Sequence, residues 1–107
     1  MKNMIKASIP LFALCLLFST SSFAADTGAD TFKSKCAMCH GPNGAGDTAM
    51  GKKMGLRDLG SADVQKQSDD ELNTIITSGK NKMPKYGDKL SKDQISDLVK
   101  YIRSMKK

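Results

Sequence analysis

Apolar and polar positions alternate in three different ways along this 107-residue chain. Residues Ile9 to Phe18 form a short apolar run, interrupted only by Pro10, behind Lys2 and Lys6 and ahead of Ser19 to Ser22. In the last third, apolar residues recur every three or four positions. Leu72, Ile75 and Ile76 share one stripe, and Ile95, Leu98, Val99, Ile102 and Met105 share another. Such spacing predicts amphipathic helices. Ser68-Asp69-Asp70-Glu71 and Ser91-Lys92-Asp93-Gln94 precede these stripes as capping boxes, and Gly79 ends the first of them. Asp26 to Lys35 reads as a further helix, capped by Asp26 or Thr27, with Gly28, Phe32 and Cys36 on one face. Ser61 to Gln67 suits a turn or two of helix. Gly41 to Gly60 holds six glycines and the turn signal Pro42-Asn43-Gly44, and neither period persists there. So long an irregular segment in a small domain makes sense if it wraps something large. Leu56 and Leu59 are its expected contacts with that object.

The N-terminal run changes the compartment. A basic start, a ten-residue apolar stretch, and Ser22 and Ala24 as small residues before the cut describe a secretory signal peptide over residues 1–24, cleaved after Ala24. Ten apolar residues are too few to span a bilayer, which takes about 20. Leu14 is too bulky for lipoprotein processing at Cys15. The domain is therefore residues 25–107, with no membrane anchor after cleavage. Loss of Lys2 and Lys6 lowers the formal charge from +6 to +4. That mild excess does not call for nucleic acid and suits an acidic protein partner. Phe32, Tyr86 and Tyr101 are the domain's only aromatic residues beyond its histidine. Domains this small usually need a staple, and Cys36 and Cys39, the only cysteines left, belong to one motif.

That motif is Cys36-Ala37-Met38-Cys39-His40, the C-x-x-C-H pattern of covalent c-type haem attachment. Two thioethers from one turn reach one porphyrin edge, and the adjoining imidazole can reach the iron. A thioredoxin-like dithiol would need a βαβ context. A zinc site would need further Cys or His ligands, and His40 is the only histidine in the chain. A backbone carbonyl of the wrapping segment is expected to accept the Nδ1–H of His40. The second axial ligand must then be a methionine. Met38 lies between the cysteines and Met105 belongs to the last helix. Met83 is favoured because it sits in the inter-helix loop Lys80 to Leu90, with Pro84 extending its backbone. Met50 and Met54 remain rivals in the wrapping segment.

With these residues in view, the domain resembles a small class I c-type cytochrome of the bacterial monohaem kind. The family's G-x-x-x-F-x-x-x-C-x-x-C-H appears as Gly28, Phe32, Cys36, Cys39 and His40. Its distal Met before Pro matches Met83-Pro84, and its closing-helix pair matches Leu98 and Tyr101, which in the family pack on the first helix's Gly and Phe. The four-helix cytochrome c′ type is similar only in the haem motif, which it carries near its C-terminus. The resemblance implies an all-α cytochrome c domain of three to five helices around one haem c, bound by Cys36, Cys39, His40 and Met83, the last two as iron ligands. It also implies a monomeric one-electron carrier, not an enzyme, in a periplasmic chain. The alternatives are a haem-based sensor or ligand-binding module and a haem subunit of a larger redox complex. A peroxidase or oxidase would want a distal acid/base group, and no second histidine exists. Lys33, Lys35, Lys80, Lys82, Lys85 and Lys89 fall where the family exposes its haem edge, as a docking ring for redox proteins.

Overall fold

The computed structural model describes the backbone of residues 24–107 and side chains from Gly28 onward. The expected leader, apart from Ala24, lies outside the described residues. Six helices follow in order: α1 Ala24–Lys35, α2 Ala37–His40, α3 Ala49–Met54, α4 Ala62–Gln65, α5 Asp69–Ser78 and α6 Lys92–Ser104. No strand occurs among the described residues beyond an isolated bridge between Lys80 and Met83. The all-α expectation therefore holds. The count passes the expected three to five because α2 and α4 are single turns of four residues. None of the described helices is long and apolar enough to cross a membrane.

The helix ends follow from local chemistry. Ser91 and Gln94 complete a reciprocal capping box at α6. At α5 only half of the expected box forms. Ser68 Oγ accepts from the Glu71 N–H at 3.1 Å, and Glu71 is exposed rather than folded back. Helix α1 starts two residues earlier than expected, so Asp26 and Thr27 fall within its first turn rather than ahead of it. Helix α3 breaks the expectation of an irregular Gly41–Gly60. The Thr48 hydroxyl caps it, accepting from Gly51 N–H at 2.8 Å, and Gly55 closes it in the left-handed conformation at φ 66°.

Helices α1 and α6 cross at Gly28. A Cβ on Gly28 would lie 2.6 Å from the Asp97 carbonyl oxygen. One turn on, Phe32 and Leu98 are the most deeply buried large side chains, and the Phe32 and Tyr101 rings sit 5.3 Å apart at 57°. The core continues through Val64, Leu72, Ile76, Leu90, Ile95, Val99 and Ile102. Arg103 ties α6 to the α4–α5 junction. Its Nη1 donates to the Gln65 carbonyl at 2.8 Å and its Nε to Asp69 Oδ1 at 2.9 Å. Gln65 Nε2 donates in turn to the carbonyls of Leu59 and Ile102. These bonds satisfy carbonyls at the helix ends and hold the wrapping segment against α6.

Candidate functional site

Helix α2 is the C-x-x-C-H turn itself. Cys36 ends the α1 ladder, with its N–H bonded to the Phe32 carbonyl at 2.8 Å. The His40 N–H returns to the Cys36 carbonyl at 2.9 Å, which closes the turn. The wrapping segment then folds back on it. Gly46 N–H donates to the His40 carbonyl at 2.7 Å, and the Thr48 hydroxyl donates to the Cys39 carbonyl at 2.7 Å. Gly51 is pressed between these backbones. A Cβ there would lie 2.7 Å from the Cys39 oxygen and 2.5 Å from that of Gly46, so no larger residue fits without movement.

Cys36, Cys39 and His40 open onto one cavity of about 550 Å³. Met83 from the α5–α6 loop lines it too, as do Met54, Pro84 and Tyr86. The wall is aliphatic, with Leu56, Leu59, Val64, Leu72, Ile76 and Leu98 contributing. Leu56 and Leu59 thus take the expected positions. The volume falls within the roughly 300–1,000 Å³ usual for ligand pockets. Exposed Lys35, Arg57, Lys80 and Lys82 also line the cavity and mark its rim.

The electrostatics suit a metal-bearing cofactor better than free thiol chemistry. Burial, and secondarily the neighbouring Cys39, pushes the Cys36 thiol up to about 11. It is therefore protonated at neutral pH and a poor exchange nucleophile. No three Cys, His, Asp or Glu side chains converge as a metal cluster among the described residues, which leaves the zinc reading without ligands. Burial lowers the His40 pKa, so its imidazole is neutral. The Phe32 ring stands 6.4 Å away. His40 Nδ1 is buried and has no hydrogen-bond partner. That corrects the expected bond from Nδ1–H to a wrapping-segment carbonyl. A neutral, half-buried imidazole opening onto an apolar cavity, beside two sulfurs on one turn, fits haem: the porphyrin would fill apolar space and its iron would take a nitrogen ligand.

The methionines separate by position. Met38 is 80% exposed and Met50 46%, and neither lines the cavity. Met105 packs on the core near Gly44. Met83 and Met54 both reach the cavity, so the structure removes one rival and keeps the other. Tyr86 and Arg57 were not singled out from sequence as site residues. An aromatic three residues beyond a loop methionine was the available signal for Tyr86.

Known proteins are similar to this chain over most of its length. The family described as "Cytochrome C oxidase, cbb3-type, subunit III" matches residues 23–102. Cytochrome c6 of a Synechococcus strain is 34% identical over 97 residues, covering 89% of this chain and 84% of that protein. Cytochrome c6 of a Picosynechococcus strain is 32% identical over 108 residues, covering 95% and 92%. The solved c-type cytochrome KustC0563 superposes with a TM-score of 0.70 at 30% identity, over 75% of this chain and 98% of that one. Cytochrome c6C from Synechococcus superposes with a TM-score of 0.58 at 30% identity, over 74% and 93%.

Proposed function

This chain belongs to the small monohaem class I c-type cytochromes, and from that membership we propose that it shuttles single electrons between redox proteins in the periplasm. Covalently bound haem c supplies the redox chemistry, as iron that cycles between ferrous and ferric. The observation that carries the proposal is the convergence of Cys36, Cys39, His40 and Met83 on one apolar cavity.

In this reading Cys36 and Cys39 hold the haem through thioethers. His40 and Met83 would give its iron a nitrogen and a sulfur ligand in both oxidation states, so that little has to rearrange as an electron passes. Met ligation raises the potential relative to two histidines. The aliphatic wall excludes water. With both axial positions filled and His40 the only histidine, the chain offers a carrier's site rather than a catalyst's. Export follows from the leader over residues 1–24 and the domain from residues 25–107. The rim lysines Lys35, Lys80 and Lys82, with Lys33, Lys85 and Lys89 exposed nearby in sequence, supply positive charge for steering an acidic partner. The carrier works as a monomer.

Absorption spectra of the purified protein, oxidised and reduced, test this reading. The expected result is a low-spin six-coordinate haem that stays with the chain after denaturation and forms no carbon monoxide adduct when reduced. Haem released on denaturation would overturn the attachment. Ready carbon monoxide binding would replace the carrier with a sensor.

A further inference from the structure

Tyr86 joins two segments that line the cavity, the end of α1 and the α5–α6 loop. Its hydroxyl donates to the Lys35 carbonyl at 3.1 Å. Lys35 ends α1 and directly precedes Cys36. Tyr86 lies three residues beyond Met83 in the α5–α6 loop, and its ring lines the same cavity as both sulfurs. The loop's backbone is bonded to α5 at this residue and the next. Tyr86 N–H donates to the Ile76 carbonyl and Gly87 N–H to that of Thr77, both at 3.0 Å, while the Tyr86 carbonyl accepts from Leu90 at 2.9 Å. From Lys80 to Lys85, the described backbone bonds reduce to one, from the Met83 N–H to Lys80 within the same turn. Met83 therefore sits in a short stretch tethered to the end of α5 through its bridge to Lys80 and, on the other side, to Tyr86. Among the described hydrogen bonds, the one from Tyr86 to Lys35 is the only link between this loop and α1.

We propose that Tyr86 is a positioning residue for Met83, its hydroxyl latching the methionine loop to the end of α1 and so holding the sulfur over the haem. The proposal rests on Met83 as the distal ligand. The latch acts on both sides of the haem at once, because the carbonyl it grips adjoins the first attachment cysteine. The Tyr86 ring also packs under Lys89, whose Nζ lies 5.6 Å from the ring centre. The hydroxyl and the ring are therefore separable by substitution. Tyr86→Phe keeps the ring, the cation above it and every backbone bond, and removes only the latch.

Imidazole binding to the ferric holoprotein reads the effect. At saturating imidazole the observed rate is the rate at which the methionine leaves the iron. Tyr86→Phe should raise that limiting rate about 2- to 10-fold, the factor that one neutral hydrogen bond represents. It should also weaken the ferric methionine–iron charge-transfer band, with haem content and helicity unchanged. Lys89→Ala, with the hydroxyl intact, should match wild type. A Tyr86→Phe rate equal to wild type overturns the latch, and so does an equal rise in Lys89→Ala. Met83→Ala separates the two levels: it should abolish the rate limit, and if the limit persists, Met83 is not the ligand and the underlying reading fails.

Discussion

Gly28 and Asp97 meet backbone to backbone, with room for hydrogen alone between the α1 Cα and the α6 carbonyl. The contact sets how closely the two helices cross. It also places the Phe32 ring against Tyr101 and beneath His40. Overpacking a site of this kind typically costs about 1–3 kcal/mol. Gly28→Ala should lower the unfolding midpoint by several degrees, since about 1 kcal/mol shifts a domain of 60–100 residues by roughly 4–8 °C. Thermal melts followed by circular dichroism check this, and an unchanged midpoint would mean that the crossing relaxes freely.

Phe32 is 2% exposed at the same crossing. Its truncation to Ala should cost about 3–5 kcal/mol, a large part of the roughly 5–15 kcal/mol typical of a domain. The axial ligands should survive, so the folded variant's spectrum should match wild type while its denaturant midpoint falls sharply. Loss of the methionine–iron band without loss of stability would contradict the packing role.

Met83 and Met54 share the cavity and Met50 does not. Met83→Ala should open the iron to carbon monoxide and lower the reduction potential. Met54→Ala should leave ligation intact and act only through lost packing, while Met50→Ala should be nearly silent in both respects. Spectra and potentiometry of the three variants decide among them. An open iron in Met54→Ala alone would transfer the distal role to that residue.

A cavity of about 550 Å³ inside so small a domain leaves α5, α6 and the wrapping segment with apolar faces turned toward a void unless haem fills it. Cys36→Ala/Cys39→Ala protein made without haem should be largely unfolded. A cooperative, helical apoprotein would show that the side-chain core suffices.

The rim charges predict a salt effect. Lys82→Glu/Lys85→Glu should slow electron transfer to the physiological partner at low salt and leave the potential nearly fixed. Screening should erase the difference as the Debye length falls from roughly 10 Å at 0.1 M to roughly 3 Å at 1 M. Stopped-flow rates across a salt series test this. A flat series for both proteins would make these lysines ordinary surface.

Much of this was legible from spacing alone. The Ser91–Gln94 box, the stripe of α6, the Gly28–Phe32 face and the C-x-x-C-H turn are local patterns, and local patterns carry their own geometry. Helix α3 was not legible, because six residues span less than two turns and Gly51 reads as a breaker until the Cys39 and Gly46 carbonyls are seen pressed against it. Arg103 was not legible either: its guanidinium grips carbonyls at the α4–α5 junction, a partnership between positions far apart in sequence. The same distance hid the choice between Met54 and Met83, since each is locally plausible and only the folded cavity shows that both arrive.

The α1–α6 crossing also imposes an order in time. Synthesis runs at about 5–20 residues per second, so Gly28, Phe32 and the two cysteines emerge on the order of several seconds before Asp97 and Tyr101 exist to cover them. During that interval the attachment turn has no partner helix and its sulfurs are accessible to any machinery that must handle them. The contact between α1 and α6 is therefore among the last that the described chain can make, well after Cys36 and Cys39 have been synthesised.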